Sequence, residues 1–129
     1  MANTSDVINL FRDILLSLGV TIYKDFHPTG TEGSERIVIN SIPNNQARAG
    51  TLKQNNDVVN VNFFVPKLTG RVNTSRIETL DALIQTAIES FDGTTSRVGY
   101  YYLDPQPSQT FNESDLETIT NIRIEVTYT

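Results

Sequence analysis

The clearest pattern in the chain runs from Val58 to Phe91: VVNVNFFVP, then KLTGRVNTS, then RIETLDALIQTAIESF. In the first stretch Val59, Val61, Phe63 and Val65 fall on one side of an extended chain. Asn60 and Asn62 fall on the other, with Val58 and Phe64 at that side's ends. This alternation predicts a half-buried strand that stops at Pro66. Ile77, Leu80, Ile84, Ala87, Ile88 and Phe91 then recur at the spacing of one buried helix face. Ser75 and Glu78 have the spacing of a capping box, and Asp92-Gly93 marks the helix end.

The flanking segments complete the order. A helix is predicted from Ser5 to Leu18, capped by Thr4 or Ser5, with Asp6 at its positive end and Gly19 closing it. Its apolar face is Val7, Leu10, Phe11, Ile14, Leu15 and Leu18. Val20 to Phe26 reads as a strand with Val20, Ile22 and Phe26 on one side, and Pro28, Gly30 and Gly33 supply the turn after it. Arg36 to Ile42 is a second strand, ended by Pro43. Arg97 to Leu103 is rich in strand-forming tyrosines, and DPQPSQ interrupts it because proline has no N–H for a ladder. Asn121 to Tyr128 alternates cleanly, with Ile122, Ile124, Val126 and Tyr128 opposite Arg123, Glu125 and Thr127.

The expected fold is therefore α+β, in the order α-β-β-β-α-β-β. It is a single domain over residues 1–129 with one mostly antiparallel sheet and two helices packed on one face. The segment Pro43–Asp57 is Asn-rich and long for a connection inside a domain. It is either a flexible hairpin arm or a segment that orders against a partner.

Composition narrows the function more by subtraction. No apolar run reaches the ~18 residues of a membrane span, and MANTSDVINLF lacks the basic start of a secretory leader. The chain has no cysteine, which removes thiolate chemistry and disulfides. Ten basic against fifteen acidic residues give a net charge of -5, and the basic ones are scattered, which argues against a phosphate-gripping surface.

Candidate reactive groups are sparse. His27, the only histidine, has Asp25 nearby but no second member of a catalytic set, and reads as a turn residue beside Pro28. Glu113, Asp115 and Glu117 form the densest acidic cluster, without the EF-hand glycine and distal glutamate, and read as a solvated face. TGTEG, around Gly30 and Gly33, lacks the lysine-serine ending of a phosphate loop and reads as a hairpin turn. Tyr100, Tyr101 and Tyr102 have no interleaved basic residues and read as alternating core and interface positions. No catalytic, cofactor-binding or metal-binding residue is predicted.

Four stretches taken together carry a resemblance: VTIYKDF, ERIVINSI, VVNVNFFVPKLTGRVNTSRIETLDALIQTAIESF and NIRIEVTY. With the helix that precedes them, the chain resembles the tail-terminator (tail-completion) proteins of long-tailed bacteriophages. These small neck proteins are also known as minor capsid or head-tail joining proteins. The most specific part is a strand ending in VP, a short Gly-containing turn, T-x-R and an amphipathic helix, and the resemblance spans nearly the whole chain.

The resemblance implies a subunit of a homo-oligomeric ring, a hexamer, at the head-proximal end of the tail tube. Such a ring stops tube growth and joins the tube to the head. Its partners are further copies of itself, the tail-tube protein and the head-closure protein, and DNA passes through the lumen without being read. It resides in the virion neck, and in the host cytoplasm before assembly. An acidic chain suits a lumen that must not trap the passing duplex. Expected assembly contacts are Asn44, Asn45, Arg48, Lys53 and Asn55 in the arm, and Asn60 and Asn62 on the polar side of the central strand. A head-closure or tail-tube protein stands as an alternative. So, from a different class, does a small α+β ligand-binding or regulatory module, which needs an apolar pocket between helices and sheet.

Overall fold

A computed structural model describes residues 4–25, 30–44, 55–91 and 101–128. These residues build an α+β fold of two helices and one mixed sheet of six strands. In chain order they are α1 (Thr4–Leu15), β1 (Thr21–Lys24), β2 (Arg36–Asn44), β3 (Asn55–Pro66), α2 (Thr74–Glu89), β4 (Tyr101–Pro105), β5 (Gln109–Asn112) and β6 (Glu117–Tyr128). The spatial order is β1-β2-β3-β6-β4, with β5 also pairing β6. β1 runs parallel to β2, and every other pair is antiparallel.

The apolar alternation places the core. Ile37, Ile39, Val59, Val61, Phe63, Val65, Ile122, Ile124, Val126 and Tyr128 come from one face of β2, β3 and β6. They form a single buried cluster with Val7, Leu10, Phe11 and Leu15 of α1 and Ile77, Leu80, Ile84 and Ile88 of α2. Ile14, Leu18, Ala87 and Phe91 pack against it, partly buried. At about 25 cal/mol per Å² of apolar surface removed from water, this cluster is the main favourable contribution to folding. Helix α1 ends in a 3-10 turn, Leu16–Leu18, followed by Gly19 at φ 74, a left-handed position that suits glycine.

The cap of α2 differs from the sequence expectation. Asn73, not Ser75, is the N-cap, and its Oδ1 accepts from the Arg76 N–H (3.3 Å). Its position follows from a tight turn in which Leu68 and Arg71 exchange both backbone hydrogen bonds (2.7 and 2.8 Å). Thr69 and Gly70 between them have positive φ. That turn delivers Asn73 to the helix start and leaves Ser75 already inside the helix, where its carbonyl accepts from Thr79 Oγ1 (2.9 Å).

Four further features depart from expectation. The sheet holds a sixth strand, β5, from the last residue of the DPQPSQ interruption onward, where no strand was expected. The link from β1 to β2 is not a hairpin turn, because the two strands are parallel. Part of that link, residues 30–35, folds over the end of the sheet opposite the core, as shown below. β2 and β3 also pair beyond the expected limits, through Pro43↔Asp57 and Asn44↔Asn56, so the flanks of the Pro43–Asp57 segment are a hairpin stem. Finally, prolines lie inside strands. The phase of the ladders turns the missing N–H of Pro43 toward the β1 side, past the last β1 residue, and that of Pro105 toward the outside of the sheet. Neither costs a hydrogen bond.

Candidate interaction surface

The face of the sheet opposite the core is built from the alternate residues of the same strands. Across three adjacent strands, Asn60 Nδ2 donates to Asn40 Oδ1 (3.1 Å). Asn121 Nδ2 donates to Asn60 Oδ1 (3.2 Å) and to Asn62 Oδ1 (2.8 Å). Further along, Thr127 Oγ1 donates to Asn56 Oδ1 (3.1 Å). Each of these asparagines is half-buried. Joined in this way, the carboxamides satisfy one another and form an ordered polar surface rather than a set of independent side chains.

Of the seven residues expected at an assembly contact, Asn60 and Asn62 are brought together here, with Asn40 and Asn121 as members the sequence reading missed. Their signal was present: both sit at polar positions of alternating runs, IVINSI and TNIRIEV. Asn44 and Asn55 are the residues where β2 ends and β3 begins. Asn45, Arg48 and Lys53 lie outside the described residues, as does His27.

One end of this polar face is closed by a buried ion pair. Arg36, at the start of β2, meets Glu117, at the start of β6, through two hydrogen bonds (2.6 and 3.0 Å). Arg36 Nη1 also donates to the carbonyls of Thr31 (3.0 Å) and Ser34 (2.9 Å), and the Gly33 N–H donates to Glu117 Oε2 (3.1 Å). The guanidinium carbon lies 4.0 Å from the centroid of the Phe64 ring. This corrects the reading of Glu113, Asp115 and Glu117 as one solvated cluster. Glu113 and Asp115 are exposed, but Glu117 is 2% exposed and Arg36 1%. The glycine-containing turn is the lid of that pair. Gly33 takes a φ of 80 and presents its N–H to the carboxylate.

On the core side of the same end, Glu35 holds Arg76 of α2 through Nε (2.8 Å) and Nη2 (2.5 Å). The hydrogen bonds and charge of Glu35 raise the Arg76 pKa above its ordinary value, so this guanidinium stays charged. Adjacent residues 35 and 36 thus tie the start of β2 to α2 on one side and to β6 on the other.

The outer side of β6 carries a register step. β4 pairs Pro105 with Ile124, whereas β5 pairs Gln109 with Asn121. Residues 106–108 therefore oppose only 122–123, one extra residue in the manner of a β-bulge. The step flips the alternation: Leu103 and Pro105 lie on the core side, but Gln109 and Phe111 lie on the polar side. A half-open depression of about 440 Å³ sits at the step, lined by Gln106, Pro107, Gln109, Asn121, Arg123 and Glu125. Phe111, Tyr102 and Ile42 are exposed apolar groups on this polar face.

Chemically the surface offers amide donors and acceptors, one exposed guanidinium and exposed carboxylates. Among the described residues, no group of three or more His, Asp or Glu side chains is placed to hold a metal ion. No helix among them is long and apolar enough to cross a membrane. No protein-family model matches the chain, and no curated protein matches it.

Proposed function

We propose that this chain is a structural subunit of a phage virion, a tail-terminator that assembles into a ring on the tail tube and joins it to the head. The observation that carries the proposal is the hydrogen-bonded asparagine surface on the polar sheet face, an ordered area with donors and acceptors to spare and no convergent reactive set. In this reading the two helices cover one face of a mostly antiparallel sheet, in the order α-β-β-β-α-β-β with β5 added. The other face and the strand ends meet neighbours. A ring needs two unlike surfaces on each subunit that match head to tail. The polar face with its exposed Phe111 and the hairpin stem at Asn44 and Asn55 are two such surfaces.

Sedimentation and negative-stain microscopy over a rising concentration series test this reading. The expected result is one closed ring that does not grow. Long cylinders would indicate a tail-tube protein instead, and a monomer at every concentration, alone and with tail tubes, would end the assembly reading.

A further inference from the structure

Among the described residues the sheet ends in β1 on one side and in β4 and β5 on the other, and the hydrogen-bonding phase shows which backbone groups of the four-residue strands β1 and β5 point outward. The Lys67 N–H donates to the Leu116 carbonyl (2.8 Å) at the end of the β3–β6 ladder. Because bonded and non-bonded pairs alternate, odd residues of β3 bond β6, and odd residues of β6 face β4 and β5. The bonds from Gln106 N–H to the Arg123 carbonyl (2.8 Å) and from Ser114 N–H to the Glu117 carbonyl (3.1 Å) require the same phase. In β5, Gln109 and Phe111 are therefore engaged with Asn121 and Ile119, and Thr110 and Asn112 turn their N–H and C=O away from the sheet.

On the opposite side, even residues of β2 bond β3 and odd ones bond β1, as the Asp25 N–H to Ile39 carbonyl bond (2.7 Å) confirms. Ile22 and Lys24 are then the β1 residues whose backbone groups point outward. β1 and β5 each offer two such residues, two apart. We propose that β5 of one subunit pairs antiparallel with β1 of a second copy, Thr110 opposite Lys24 of the partner subunit and Asn112 opposite Ile22 of the partner subunit. This rests on the assembly reading above and adds an edge-to-edge contact to the surfaces named there.

Three observations fit this occupant. First, β1 and β5 run in opposite directions within one sheet, so a copy related by rotation presents β1 antiparallel to β5 without being turned over. Second, the outward residues of both strands lie on the core side of their sheets, so the faces stay continuous across the junction. Third, the register sets Phe111 directly opposite Tyr23 of the partner subunit, both on the polar side. That is a non-bonded pair, with Cα atoms about 4.5 Å apart, the closest cross-strand spacing for side chains. An aromatic pair there gives the half-exposed Phe111 ring a partner. β5 also lacks the charges and prolines that blunt free edges, and the step at residues 106–108 with Pro105 confines the added strand to it.

The absence of cysteine makes a direct test available. In a Tyr23→Cys/Phe111→Cys variant the two thiols of one subunit lie four strand spacings apart, roughly 19 Å, too far to bond within the chain. Mild oxidation should give a disulfide-linked ladder on a non-reducing gel, and a Tyr23→Cys/Gln109→Cys variant, two residues out of register, should give far less. Thr110→Pro removes an outward donor and the hydroxyl contact to Thr120 (2.9 Å) but no β6 ladder bond, so the monomer should still unfold cooperatively, at a slightly lower temperature, while sedimentation shifts to monomer. A wild-type protein that assembles, with no ladder from the first variant and normal assembly of Thr110→Pro, overturns this contact and leaves the assembly reading standing. A wild-type protein that never assembles overturns both.

Discussion

Two buried carboxylates at opposite ends of the sheet make an instructive pair. Glu117 is 2% exposed, and both its oxygens are engaged by Arg36 and the Gly33 N–H. Asp57 is 1% exposed, yet it has no cationic partner among the described residues. Its Oδ2 accepts from Tyr128 Oη (3.2 Å) and, more weakly, Ser41 Oγ (3.4 Å), and its buried Oδ1 accepts from nothing. Equal burial thus coexists with unequal satisfaction. The Glu117 end is locked by charge, while the Asp57 end retains an unmet hydrogen-bonding demand beside the hairpin stem.

The largest expected effect breaks the locked end. Glu117→Ala leaves Arg36 buried without a counter-charge, and we expect a loss of about 3–5 kcal/mol in urea unfolding. The Arg36→Met/Glu117→Leu double variant should recover most of it, since apolar residues of similar volume replace buried ion pairs at little cost. A single variant that unfolds like wild type would mean that the turn at residues 30–35 is held by something else.

Asp57→Asn probes the other end. It keeps an acceptor for Tyr128 and replaces a buried carboxylate that has no cationic partner among the described residues, so the urea midpoint at neutral pH should rise, by about 1 kcal/mol in stability. A fall of that size would show that the charge of Asp57 is used.

The smallest effect compares the neighbouring pairs. A double-mutant cycle on Glu35 and Arg76, whose side chains are 28% and 38% exposed, should give a coupling of about 0.2–1 kcal/mol, well below the Arg36–Glu117 cycle. The raised Arg76 pKa fixes the sign of its pH dependence. The arginine's contribution is fully present below the ordinary arginine value and fades only as pH rises through the raised one. Between pH 6 and 8 the arginine therefore adds no slope to stability.

The sequence made legible whatever a periodic burial pattern could record. The Val59–Val65 alternation, the Ile77–Ile88 helix face and the Ile122–Tyr128 strand all appear as read, because each has one dry and one wet side. β5 left no such record, since all four of its residues are exposed. The register step beside it reverses which parity faces the core, so no single alternation runs from Tyr101 to Asn112. The Arg36–Glu117 pair was hidden for another reason. Its members stand 81 residues apart, and only the parallel placement of β1 brings the intervening turn over them. On the polar face Asn60 and Asn62 were legible as outward positions, whereas their links to Asn40 and Asn121 depend on register across three strands.

The strand prolines have a consequence for solubility. Pro43 and Pro105 each sit where a ladder would otherwise offer an N–H beyond a neighbouring strand. Along the outer side of β4 and β5, a foreign strand can take hold only on short stretches, because Pro105 withholds a donor just before the register step that separates the two strands. The chain is thereby spared the long, sticky margin from which fibrils grow.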